Sequence, residues 1–192
     1  MMSFRPIADV WILARPKVKY YGAYPNGFLE RALPLLGASD HDEVLHVCGG
    51  KVRDYPNKRC VQHAWTLDAD PSLKPDFLLD VVTGKSPAGV EPEAGFNMHR
   101  PLVTSWRAVL CDPPYTPEDH EHYAVAKAGR QLPTANEVLR FGLQFAKVGG
   151  RVGVLHYQWP QPPKTARSIA VAAVLTGFNN RVRVFSVFER VE

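Results

Sequence analysis

The chain has 192 residues, of which 22% are charged and 45% hydrophobic. That balance is ordinary for a globular protein and excludes a disordered chain, a coiled coil and a collagen-like fibre. Net charge is +4, from 23 basic and 19 acidic residues, a lean toward polyanionic partners. No apolar run reaches the roughly 18 residues of a membrane span. Arg5, Pro6 and Asp9 interrupt the N-terminal segment where a secretory signal needs an unbroken apolar region. Cys48, Cys60 and Cys111 are three and cannot all pair, which fits a reducing compartment. The expectation is a cytoplasmic protein with no membrane partner. The length suits one domain, with 1–43 as an N-terminal segment and helix and 44–192 as the core. The 17 prolines are dispersed, which predicts rigid loops between short elements.

In chain order, residues 26–37 begin with a capping Asn26, end at Gly37 and place Phe28, Ala32, Leu35 and Leu36 on one helical face, with Pro34 as a kink. Val44 to Cys48 reads as a short buried strand that stops at Gly49-Gly50, and Val61 to Leu67 as a second, closed by Asp68-Ala69-Asp70-Pro71. Phe77 to Leu79, closed by Asp80, and Arg107 to Cys111, closed by Asp112-Pro113-Pro114-Tyr115, are a third and a fourth. Thr116-Pro117-Glu118-Asp119 opens a helix expected to reach about Ala128 and stop at Gly129. Thr134 to Glu137 is a capping box ahead of a helix ended by Gly149-Gly150. Arg151 to Tyr157 is a further strand. Ser168 to Leu175 and Arg181 to Phe188 form a hairpin around Thr176 to Asn180. Alternating strands and helices with a final hairpin predict an α/β fold, mostly parallel, with one antiparallel strand. Ligands of such sheets bind at the carboxyl ends of the strands, where this chain carries Gly49-Gly50, Asp68, Asp70, Asp80 and Asp112.

Asp112-Pro113-Pro114-Tyr115 is the most specific feature. Two prolines hold the backbone rigid, and proline keeps its carbonyl acceptor. A carboxylate and a carbonyl side by side accept both hydrogens of an exocyclic amine. An aromatic ring beside them stacks on the base that bears it, worth roughly 1–3 kcal/mol. The chain resembles class I S-adenosylmethionine-dependent methyltransferases of the amino-methylating group, whose motif is Asp/Asn/Ser-Pro-Pro-aromatic. The resemblance runs from about Tyr20 to Phe188. It implies a Rossmann-like sheet of seven strands, six parallel and the last antiparallel. It assigns Val47, Cys48, Gly49 and Gly50 to the cofactor's methionine part, and Asp68 or Asp70 to its ribose. Asp80 falls to its adenine, and Tyr21 to a segment, with Tyr20 to Pro25, that closes the pocket. Asp112, Pro113, Pro114 and Tyr115 become the catalytic clamp, with Tyr115 stacking on a flipped base.

The implied reaction is methyl transfer to an exocyclic amine, N6 of adenine in DNA first. An RNA base methyltransferase, a methyltransferase for protein side-chain amides and a non-catalytic domain of the same fold are the alternatives. The implied partner is nucleic acid, DNA ahead of RNA, with a partner protein to supply target recognition.

Two departures qualify the resemblance. Lys51 stands where the glycine loop expects a glycine, and Val52 to Arg59 lacks the stripe of a crossover helix, which is therefore short, irregular or absent. No recognition domain fits in the 31 residues between Asp80 and Asp112 or the 18 between Tyr115 and Thr134. The former stretch reads as a loop, 84–106, that carries Phe96, Met98, His99 and Arg100 and ends in Trp106. His46, Cys48, Cys60, His63 and Cys111 lack zinc-ligand spacing, and no metal is expected. Asp119-His120-Glu121-His122 reads as a solvated helix face. His156 and Tyr157, with Trp159, form a candidate substrate wall. Lys164, Arg167, Arg181 and Arg183 read as a solubilising surface, with a phosphate-facing patch as the alternative. The short Pro160 to Lys164 stretch predicts a reduced last crossover.

Overall fold

The computed structural model describes residues 6–16, 22–86, 105–123, 129, 131–176 and 181–192. Eight strands form one sheet: β1 (Ile7–Leu13), β2 (Val44–Val47), β3 (Ala64–Asp68), β4 (Phe77–Leu78), β5 (Trp106–Cys111), β6 (Ala146–His156), β7 (Ala166–Thr176) and β8 (Val182–Arg190). Their order is β1-β7-β8-β6-β5-β2-β3-β4. Only β8 runs antiparallel to its neighbours, β6 and β7, and every other pairing is parallel. The expected seven strands are present, and β1 is the eighth. The sequence reading missed β1 because Asp9 interrupts its apolar run and four of its first five residues are exposed in the fold. It adds to the sheet edge beside β7, pairing Ile7 with Ala170 and Leu13 with Thr176.

Helix α1 (Phe28–Leu35) covers one face of the sheet and α3 (Ala135–Phe145) the other, with the short α2 (Pro117–Glu121) between them in the chain. On the α1 side, Phe28, Leu33 and Leu36 pack with Trp11, Val174, Phe185 and Val187. On the α3 side, Val138, Leu139 and Phe141 pack with Val109, Val152 and Phe188. Burying each large side chain contributes about 1.5–3 kcal/mol. Gly142 lets α3 lie close on the sheet, since a Cβ there would stand 2.8 Å from Val152 Cγ1. The four residues of β2 are all buried, as a central parallel strand requires.

Several local expectations are corrected. Helix α1 begins after Gly27 in a left-handed conformation, φ 86°, with no side-chain cap, and the Asn26 amide pairs with the Ala14 carbonyl instead. Pro34 sits on the exposed side of the last turn, where the helix is ending anyway. The capping box of Thr134 and Glu137 is formed, but α3 ends at Phe145 and passes straight into β6. Gly149 and Gly150 therefore lie within β6. Trp106 starts β5 inside the core and is not a loop residue. Two 3-10 turns, Val52–Asp54 and Lys58–Cys60, replace the first crossover helix, as the missing stripe predicts. No helix lies between β6 and β7. The described helix α2 stops at Glu121, and 124–128 lie outside the described residues, as do 177–180 of the hairpin turn. Among the described residues, no helix is long and apolar enough to cross a membrane.

Candidate active site

Four strands, β2, β3, β4 and β5, deliver their carboxyl ends to one edge of the sheet, and two clefts open there. The first is lined by Cys48, Gly49, Gly50, Asp68 and Asp80, with Tyr24 and Tyr55 on its wall. Its floor is the turn after β2. Cys48 (φ 54°) and Gly50 (φ 50°) are both left-handed. A Cβ on Gly49 would stand 2.9 Å from the His46 carbonyl oxygen, so glycine is needed there for close approach. Lys51 has φ −97°, ordinary for a side-chain-bearing residue, so the lysine in place of a third glycine costs the turn nothing; its exposed side chain lies at the rim.

Asp68 ties this turn to β3. Its Oδ2 accepts the Gly50 amide at 3.1 Å, and its Oδ1 accepts the Asp70 amide at 3.0 Å. Burial raises the Asp68 pKa, against the lowering effect of those amides. Asp70 points its carboxylate elsewhere, capping the 3-10 turn Pro71–Leu73 through the Ser72 amide at 2.9 Å. Of the two acids, Asp68 alone lines the cleft. Asp80 is buried, and its Oδ1 accepts the amides of Val82 and Thr83 at 2.8 and 3.0 Å. Val47 is inside the core, its carbonyl accepting the Asp112 amide at 3.2 Å, and it lines neither cleft. Tyr20 and Tyr21 lie outside the described residues, but their neighbour Gly22 lines both clefts.

The second cleft is lined by Asp112, Pro113, Pro114 and Tyr115 together with Tyr157, Arg15, Arg181 and Arg183. Gly22, Asp112, Pro114 and Tyr123 are the wall it shares with the first. Burial pushes the Asp112 carboxyl up to about 7, although the Tyr115 hydroxyl and the Arg183 charge both act to lower it. The Tyr115 hydroxyl donates to Asp112 Oδ1. Its ring packs on Tyr157 at 4.9 Å and on His156 at 5.6 Å between centroids. Tyr115 is thus packed against its own protein, where the resemblance gives it a base to stack on. His156 is buried behind Tyr115 and its Nδ1 accepts the Gln158 amide at 2.9 Å; it lines neither cleft.

Sequence reasoning missed several groups. Tyr55 faces the first cleft from a segment that carries no motif, and Tyr24 from the Tyr20 to Pro25 segment, where the resemblance singles out Tyr21. Asp119 and His120, read as a solvated face, are buried, and line the second and the first cleft respectively. Arg183, read as surface, lies over the Tyr115 ring at 5.8 Å. A signal for Arg183 existed: in 181–188 it shares the inward phase of Phe185 and Val187. The loop residues Phe96, Met98, His99 and Arg100 lie outside the described residues. Among the described residues, no group of three or more His, Cys, Asp or Glu is placed to hold a metal ion.

No protein-family model matches the chain, and no curated protein does. Solved structures do. TrmN from Thermus thermophilus is 14% identical, with a TM-score of 0.53, over 88% of this chain and 49% of its own. This chain therefore spans about half the length of that protein. An rRNA methylase from Streptococcus thermophilus is 10% identical, with a TM-score of 0.43, over 88% of this chain and 100% of its own. At such identity the likeness to TrmN is one of fold: the chain has a Rossmann-like class I methyltransferase fold, with an eighth strand added at its edge.

Proposed function

We propose that the chain transfers a methyl group from S-adenosylmethionine to an exocyclic amino group of an RNA base, adenine N6 being the group the clamp suits best. The observation that carries this reading is the shared wall. Asp112 and Pro114 border both clefts, so a donor in the first and an amine in the second would meet at the clamp.

The first cleft fits the cofactor on its own geometry. A Cβ on Gly50 would meet nothing within 4 Å, so the turn leaves open space above it. Among the described residues the buried Tyr24 hydroxyl on the cleft wall has no hydrogen-bond partner, a polar atom that a bound polar ligand would satisfy. Asp68 and Asp80 are acceptor-only carboxylates on the wall of this cleft, suited to ribose hydroxyls and an adenine amine. When bound, S-adenosylmethionine supplies an electrophilic methyl group on a sulfonium. The protein's part is to hold the amine: Asp112 Oδ2 and the Pro113 carbonyl accept its two hydrogens and aim the nitrogen lone pair at the first cleft.

RNA is favoured over duplex DNA on physical grounds. Taking a base out of a duplex costs a few kcal/mol, and an unpaired RNA base is already free of it. The second cleft offers Arg15 and Arg181 for phosphates but no second lobe among the described residues to hold an opened duplex. Mass spectrometry of nucleosides from RNA and DNA, after incubation with the protein and S-adenosylmethionine, is the test. Methylated adenosine from RNA is expected. Methylation confined to DNA would return the substrate to the reading the resemblance implies. Calorimetry without heat for either S-adenosylmethionine or its demethylated product would leave a non-catalytic domain of this fold.

A further inference from the structure

We propose that Arg183 is a positioning residue for the clamp, acting through Tyr115: it holds the Tyr115 hydroxyl on Asp112 Oδ1, so that the carboxylate presents only Oδ2 to the amine. This rests on the amine clamp proposed above, but its geometry stands apart from any cofactor.

Two contacts make the relay. The Arg183 guanidinium lines the same cleft as Tyr115. It lies 5.8 Å from the centroid of the Tyr115 ring, within cation–π range. The Tyr115 hydroxyl then uses its single hydrogen on Asp112 Oδ1. Donor and acceptor roles match at that bond: the phenol gives its hydrogen, and the carboxylate only accepts. A cation beside the ring polarises the phenol and strengthens the bond its hydroxyl makes onward.

The relay is anchored at both ends. Arg183 stands at the start of β8, opposite Val174 of β7, and the next residues on its face, Phe185 and Val187, are fully buried against the α1 side of the sheet. Tyr115 is wedged by Tyr157 and His156. With its hydroxyl so held, Asp112 cannot turn about its last side-chain bond, and the lone pairs of Oδ2 point one way.

The relay also bears on ionisation. A protonated Asp112 offers a weaker acceptor, and burial favours that form. Other groups that face Asp112 do not help it ionise. These are Tyr24 before α1, Cys48 after β2 and Cys111 in β5, with Asp68 and Asp80 beyond Cys48. Arg183 from β8 is the cation that acts on it, and Tyr115 carries that influence inward.

The test titrates the Asp112 carboxyl by carbon NMR in cofactor-free protein, comparing the native chain with R183Q, R183K, Y115F and the R183Q/Y115F pair. R183Q is expected to raise the midpoint by about one unit. Y115F is expected to raise it similarly, and adding R183Q to Y115F to move it by less than about 0.3 unit further. R183K keeps a cation and a donor but not the planar fork, and should recover about half of the R183Q shift. If transfer is active, R183Q lowers kcat about tenfold and leaves KM and cofactor Kd within about twofold. An unmoved midpoint in folded R183Q, or additive shifts in the pair, overturns the relay. The expected shifts without any binding of S-adenosylmethionine would keep the relay and discard the proposed function.

Discussion

The two clefts that meet at Asp112 are built from different materials. The first is made of backbone: a turn with two left-handed residues, a glycine pressed on a carbonyl, and carboxylates of Asp68 and Asp80 bound to amides. The second is made of side chains, chiefly Tyr115, Tyr157 and three arginines, carried on loops and on the start of β8. A pocket of backbone is fixed by the fold and holds its shape without a ligand. A pocket of side chains can be altered one residue at a time without moving the chain, so selectivity for a substrate belongs there.

That contrast can be broken by substitution. Asp112→Ala strikes the shared wall and should lower methyl transfer by about a thousandfold or more, with cofactor Kd changed little. A labelled-methyl assay beside calorimetry reads both, and unimpaired transfer would sink the clamp. Asp68→Ala should loosen the turn of the first cleft and weaken cofactor binding about 10–100-fold, while binding of RNA alone stays as it was. An equal loss of RNA affinity would show that the clefts are not separate.

Ionisation of Asp112 gives two linked outcomes. Transfer requires the carboxylate, so the rate should fall as pH drops through about 7. For stability the sign is opposite. The folded midpoint lies above the unfolded value of about 3.9, so the native state binds the extra proton between them. This group therefore favours the fold at low pH, and its contribution is lost as pH rises from about 4 to about 7. Asp112→Asn should raise Tm at pH 8 by about 2–4 °C while abolishing transfer; a lowered Tm would mean that the carboxylate is structural.

The smallest effect is expected at the rim of the second cleft. Arg181 lies 3.8 Å from Asp119 Oδ1 and donates to the Tyr157 hydroxyl at 3.4 Å. Arg181→Ala should raise KM for RNA about three- to tenfold and reduce the salt slope by about one, with cofactor Kd unchanged.

The contrast also explains what could be read from the sequence. Gly49, Gly50, Asp68, Asp80 and Asp112 follow short apolar runs, so strand periodicity and spacing placed them at one edge of a sheet. The second cleft was only partly legible. Tyr115 and Tyr157 follow strand ends, but Arg15 follows an edge strand that went unread, and Arg183 reaches the cleft only because β8 runs against its neighbours. Its inward phase is legible in 181–188, but its place beside Tyr115 depends on strand pairing, which no local pattern encodes. The burial of Asp119 and His120 has the same origin: α2 is short and packs over the clefts, where its helical pattern alone favours solvent.

The edge strand β1 has a consequence for how the molecule assembles. Its residue Ile7 pairs with Ala170, and its whole length lies along β7, a partner far along the chain from it. Trp11 and Leu13, which fill the α1-side core, wait for that partner. Contacts between distant parts of a chain form slowly, because a large loop must close before they gain anything. Strand β1 is therefore held back until β7 has been made, and the half of the sheet that carries Arg183 is expected to mature last.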